Sequence, residues 1–178
     1  MEFRKKTMEE LERMDLEEAK EATKYPYVLV LDNIRSMNNV GSAFRTGDAF
    51  NCQEIILVGI TAKPPHREIA KTALGADESV TWKYFNTNIE AIQYLNSKKF
   101  QIISVEQTHN SISLEKFIIE ENQSYAFVFG NEVFGVNDEF LEASEKVIEI
   151  PQFGVKHSIN VSVSIGVISW DFVSKLLK

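Results

Sequence analysis

Four short runs of strand-forming residues constrain this chain more than anything else in it: Tyr27–Leu31, Glu54–Gly59, Gln101–Val105 and Tyr125–Phe129. They are apolar at successive rather than alternate positions, as in strands buried on both faces. Shorter strands are expected at Ser79–Trp82 and Lys146–Ile150. Helical spacing fills the intervals. Val40, Ala43, Phe44 and Gly47 share one face, and Ile69, Ala70, Ala73 and Leu74 form a short helix ended by Gly75. Helices are also expected over Asn88–Asn96, capped by Asn88, and over Asn137–Ser144. A last helix from Asn160 aligns Val161, Ile165, Ile168, Phe172 and Leu176. Strands that alternate with helices define an α/β fold, a mostly parallel sheet with helices on both faces.

Ahead of the first strand, Thr7-Met8-Glu9-Glu10 reads as a capping box opening a helix with Met8, Leu11 and Met14 on one side. Tyr25-Pro26 is expected to end it. Residues 1–24 are therefore a helical appendage and residues 25–178 a single domain, large enough to bury a full core. The lone Cys52 excludes an intramolecular disulfide framework and a Cys-based zinc site. No apolar run approaches the roughly 20 residues of a membrane span, so no membrane partner is expected. Glu2, Arg4, Lys5 and Lys6, with no apolar run behind them, do not form a secretory signal, and a cytoplasmic protein is the expectation.

The formal charge of −7 argues against an anionic partner only when taken whole. Residues 86–149 hold four basic and eleven acidic side chains, which equals the entire deficit, and residues 150–178 are net positive. Most of that acid lies outside the three polar clusters that could carry chemistry.

Three polar clusters follow apolar strands, where a parallel sheet exposes its ligand-binding edge. The first is Asn38-Asn39-Val40-Gly41 with Arg45. Helical side chains lean toward the N-terminus, so Arg45 would reach back toward the asparagines to grip a phosphate or stabilise a deprotonating hydroxyl. A pair with Asp48, one turn on, serves equally well. The second is Phe129-Gly130-Asn131-Glu132-Val133-Phe134-Gly135, two glycines around a carboxylate, as in a tight turn close to a ligand. Glu132 either orients Arg45, binds substrate or caps the following helix. The third is Ile150-Pro151-Gln152-Phe153-Gly154 with Ser158-Ile159-Asn160, in which Asn160 is either a helix cap or a site residue. All three together point to a nucleotide-like ligand site. His66, His109 and His157 have no metal-ligand spacing, and no Gly-x-x-x-x-Gly-Lys-[Ser/Thr] or Gly-x-Gly-x-x-Gly motif is present. A metal site, an NTPase and a dehydrogenase are disfavoured.

These clusters resemble the three ordered motifs of the SpoU (TrmH-type) RNA ribose 2′-O-methyltransferases of the SPOUT superfamily. The first motif is similar to Asn39–Ala49, the second to Phe129–Gly135, and the third to Ile150–Gly154 followed by Ser158–Ser164. Lys71–Ala76 between them also looks familial, and the likeness spans Tyr27–Leu177. The resemblance implies a C-terminal deep trefoil knot that holds S-adenosyl-L-methionine (product S-adenosyl-L-homocysteine), without a metal. It also implies a homodimer with the active site at the subunit interface and tRNA or rRNA as substrate. Carried over, Arg45 acts on the ribose 2′-hydroxyl and Asn39 helps to place it. Glu132, Ser158 and Asn160 shape the active site. Gly130, Ile150 and Ile159 match cofactor contacts, with Phe129 and Gln152 beside them in the motifs; Glu106-Gln107 falls where the family lines the cofactor site, and Ser158 and Asn160 face it too. The acidic chain, with a sequence pI near 5.1, and the lack of residues beyond the last helix depart from the tRNA-specific pattern. An S-adenosylmethionine-binding RNA-binding or assembly factor without turnover is the alternative that departure keeps open.

Overall fold

The computed structural model describes residues 3–7, 10, 17–18, 22–156 and 158–177. Among them, seven strands form one sheet: β1 (Tyr25–Asp32), β2 (Cys52–Val58), β3 (Trp82–Phe85), β4 (Phe100–Val105), β5 (Ile112–Ser113), β6 (Ser124–Phe129) and β7 (Lys146–Glu149). Their order is β3-β2-β1-β6-β4-β7-β5, and every pairing is parallel. The strands with continuous apolar runs take the middle of the sheet, with β6 between β1 and β4. Short, half-buried β3 and β5 take the edges, where one side of a strand has no partner to cover it.

Six α-helices have their bounds among the described residues: α1 (Met37–Ala49), α2 (Arg67–Ala73), α3 (Ala76–Ser79), α4 (Asn88–Ser97), α5 (Asp138–Ala143) and α6 (Val161–Leu176). Alternate side chains of β1 feed two cores. Tyr27, Leu29 and Leu31 pack under α1, α2 and α6, whereas Val28 and Val30 pack under α4 and α5. Helices thus cover both faces. Phe172 of α6 lies 5.0 Å from the Tyr27 ring and 5.5 Å from that of Phe127, so the last helix is anchored over the sheet centre. No described helix is long and apolar enough to cross a membrane.

Several boundaries differ from the sequence reading for identifiable reasons. Tyr25 and Pro26 open β1 instead of ending a helix, at a register irregularity that tolerates a proline. The N-terminal capping box is present, with Glu10 N–H donating to the Thr7 hydroxyl and Thr7 N–H to the Glu10 carboxylate. The helix expected behind it, with Met8, Leu11 and Met14, lies outside the described residues. Ala76–Ser79 is helical rather than the start of a strand. Gly75, at φ +92°, begins this new helix, and strand pairing starts only at Trp82 opposite Ile55. Thr87, not Asn88, caps α4 through a reciprocal box with Glu90, and Asn88 is buried inside the helix. The Thr-x-x-Glu signal for this was present in the sequence.

Candidate functional site

The parallel sheet turns the carboxyl ends of β1, β6, β4 and β7 to one side, and their loops meet there. The loop after β6 is the centrepiece. Its limbs are joined by a two-residue bridge in which Asn131 and Gly135 exchange N–H···O=C bonds at 2.9 Å. The Asn131 side chain accepts from Val133 and Phe134 N–H and donates to the Asn33 carbonyl at 2.7 Å. A methyl at Gly130 would sit 2.1 Å from the backbone of Gly135 and Val136, so no side chain fits at that strand end. Gly135 holds φ +75°.

Glu132 projects from this loop across to the start of α1. Its carboxylate accepts from the backbone N–H of Arg35 (2.9 Å) and Ser36 (3.1 Å) and from the Asn39 side-chain amide (2.9 Å). Partial burial works to raise its pKa, but the donors from Arg35, Asn39 and Ser36 outweigh it and hold the carboxyl below its ordinary value. Ser36 caps α1 by accepting from Asn39 N–H. On the neighbouring strand end, buried Asp32 accepts from Asn137 N–H and the Asn33 amide, yet burial dominates and raises its pKa. At the other end of the site Asn160 caps α6, accepting from Ser162 N–H at 2.8 Å and from the Ser162 hydroxyl at 2.6 Å.

Between these loops lies a cavity of about 410 Å³. Its walls include Glu106 and Gln107 beyond β4, Phe129, Gly130 and Glu132, Ile150 and Gln152, and Ser158, Ile159 and Asn160. Those are all the site residues expected from sequence except Asn39 and Arg45. Asn39 stands behind Glu132 as its hydrogen-bond donor. Arg45 is exposed on α1, and among the described residues its side chain makes no ion pair or hydrogen bond, either to the asparagines or to Asp48. Asp48 instead accepts from the Ser79 hydroxyl at 2.6 Å. His157 is not among the described residues, and no described group of three or more His, Cys, Asp or Glu could hold a metal.

Two contributors escaped the sequence reading. Asn131 organises the central loop, and Glu149, at the end of β7, lines the cavity while accepting from the Ser111 hydroxyl at 2.9 Å. The asparagine sat in a motif already singled out. The glutamate had only its place at a strand terminus to mark it.

An open parallel sheet with a ligand-sized cavity over its carboxyl edge defines an α/β domain of the nucleotide- and cofactor-binding class. Residues 26–170 match the model of the SpoU rRNA methylase family, and the chain belongs to that family. It is 27% identical over 149 residues to a tRNA (guanosine(18)-2′-O)-methyltransferase of Borreliella burgdorferi, covering 84% of this chain and 66% of that protein. It is 29% identical over 143 residues to the 23S rRNA (guanosine-2′-O-)-methyltransferase RlmB of Neisseria meningitidis, covering 80% of this chain and 56% of that one. The chain thus spans less than two thirds of the length of these relatives. In fold it is similar to an AdoMet-bound rRNA methyltransferase of Sinorhizobium meliloti, with a TM-score of 0.80 at 23% identity over 88% of this chain and 59% of the other.

Proposed function

We propose that the chain is an S-adenosyl-L-methionine-dependent methyltransferase that modifies a ribose 2′-hydroxyl of tRNA or rRNA. The observation that carries this reading is the convergence of the second and third family motifs on one cavity, with the first motif tied to it through Asn39 and Glu132. The residues present suit the methyl donor. Phe129, Ile150, Ile159 and Val161 offer apolar wall for an adenine ring, and among the described residues the lining contains three carboxylates but no Lys, Arg or His to oppose a cation. Gln107, Gln152 and backbone groups of the loops would hold its polar edges. When bound, the donor supplies an electrophilic methyl group and departs as neutral S-adenosyl-L-homocysteine.

The chain's own residues must then hold the ribose hydroxyl and manage its proton. An arginine keeps its charge at any physiological pH, so the role that suits Arg45 is to stabilise the alkoxide developing on the 2′-oxygen, with the proton leaving to solvent. Its lack of a partner among the described residues leaves the guanidinium available for that task. Glu132 and Asn39 fix the helix that carries it.

The reading extends to the assembly. A trefoil knot would be threaded by residues 150–160 and α6, and α6 supports this by leaving β7 to pack against α1. A homodimer is supported by the outward face of α6, where Val163 and Trp170 are more than half exposed. The protein would work in the cytoplasm with its RNA, residues 1–24 serving as an appendage to the methyltransferase domain.

Methyl transfer from labelled S-adenosyl-L-methionine to total tRNA and rRNA, with 2′-O-methyl mapping of the product, tests the assignment. Arg45→Ala is expected to lower transfer by about a hundredfold or more while calorimetry shows donor binding nearly unchanged. Wild-type transfer by that variant would overturn the mechanism. Donor binding with no transfer by the wild type would favour the assembly factor.

A further inference from the structure

The loop after β6 is pinned from both sides by carboxylates of the strands that flank β6. Val136 N–H donates to Glu106 Oε2 at 3.0 Å and the next amide, Asn137 N–H, donates to Asp32 Oδ2 at 2.8 Å. Of these two anchors, only Glu106 lines the cavity. Its backbone is fixed, since Glu106 N–H donates to the Ile148 carbonyl and extends the β4–β7 ladder by one bond. Its other carboxylate oxygen accepts from Gln107 N–H at 2.8 Å. The carboxylate approaches the loop closely, since a methyl group at Gly135 would lie 2.3 Å from Glu106 Oε2. The same loop carries Glu132, whose carboxylate holds the Arg35 and Ser36 amides and the Asn39 side chain at the head of α1.

We propose that Glu106 is a positioning residue: it couples occupancy of the cofactor cavity, through the loop after β6, to the Glu132 clamp that sets the helix bearing Arg45. The inference rests on the methyl-donor reading of the cavity. A ligand against Glu106 and Gln107 restrains the carboxylate, the carboxylate restrains Val136 and Gly135, and the Asn131–Gly135 bridge passes that restraint to Glu132. Residues 33–39 do not line the cavity, so a ligand acts on them through residues that do: directly through Glu132, or through Glu106 and the loop, and variants of Glu106 separate the two routes. Arg35 and Ser36 amides report on the clamp directly, because their hydrogen bonds run to Glu132 alone.

Hydrogen exchange of the segment 33–39, followed by mass spectrometry with and without S-adenosyl-L-methionine at a concentration that calorimetry shows to be saturating, reads the coupling. In the wild type the ligand slows exchange there by about fivefold or more, the lower end of ordinary coupling between sites. Glu106→Gln, which replaces one accepting oxygen with a donor, abolishes the slowing at saturation. Glu106→Asp keeps the charge but is one methylene short of Val136, and it abolishes the slowing too. Glu142→Gln removes an exposed carboxylate of α5 that lies outside the cavity, and it retains the slowing. Slowing that survives in Glu106→Asp, or is lost in Glu142→Gln, overturns the proposal, as does a wild type that binds the ligand without any slowing at 33–39. A wild type that does not bind S-adenosyl-L-methionine overturns the functional reading, and the coupling falls with it.

Discussion

Glu132 and Asp32 stand at adjoining loops, yet their protonation responds to the fold in opposite directions. Both lose water on folding. Asp32, 1% exposed, has two donors against deep burial and its pKa rises from 3.8, so its contribution to stability is full below 3.8 and fades as pH rises through the raised value. Glu132 is less buried and collects donors from Arg35, Asn39 and Ser36, so its pKa falls below 4.5. Its contribution is therefore full above 4.5 and is lost as pH drops through the lowered value. The thermal midpoint of Glu132→Gln should lie below that of the wild type at about pH 6 and converge on it as the pH is taken below the carboxylate range. A gap independent of pH would mean that the carboxylate's charge plays no part in the clamp. Sequence singled out Glu132 by its flanking glycines. The partners could not be read, because Asn39 lies 93 residues away and only the sheet order, with β6 beside β1, brings them together.

Among the elements, the last helix has a cap residue that also faces the cavity. Asn160 holds the first turn of α6 through Ser162 and also lines the cavity. Aspartate caps about as well as asparagine, whereas alanine costs about 1 kcal/mol. Asn160→Asp should thus unfold within a few degrees of the wild type, while its methyl transfer falls about tenfold or more because a donor amide has become an anion. Transfer at the wild-type rate would reduce Asn160 to a cap. The central strands were legible because burial on both faces writes itself as a continuous apolar run. The edges were not: β5 has two residues, and β3 shows no such run, so the strand expected at Ser79–Trp82 begins only at Trp82. Local chemistry could have recovered the cap of α4, since Thr87 and Glu90 stand at the right spacing. It could not have paired Asp48 with Ser79, which depends on how α1 packs against α3.

At the scale of the molecule the acidic balance of −7 has to be reconciled with the proposed RNA substrate, and the charge differs between the two faces of the sheet. The acid-rich residues 86–149 supply α4 and α5 on one face, with Asp138, Glu139 and Glu142 all on α5. The other face carries α1 and α2 with Arg45, Arg67 and Lys71, near the loop cations Arg35 and Lys63. Lys63 already sits 4.1 Å over the ring of Tyr84, an arrangement that orders the ammonium without neutralising it. Phosphate contacts dominate nucleic-acid affinity, and each released counterion adds about 0.7–0.9 to the slope of log K against log salt. If RNA docks on the α1–α2 face, Arg67→Glu should weaken binding and lower that slope by about one, as measured by fluorescence anisotropy with bulk tRNA between about 50 and 200 mM salt. Glu139→Lys on the opposite face should leave both affinity and slope nearly unchanged, even though it alters the net charge by the same amount with the opposite sign. The pair separates a local electrostatic footprint from a net-charge effect. Were affinity to track total charge, rising with Glu139→Lys as much as it falls with Arg67→Glu, the RNA would not be held on one face, and the segregation of charge across the sheet would serve solubility alone.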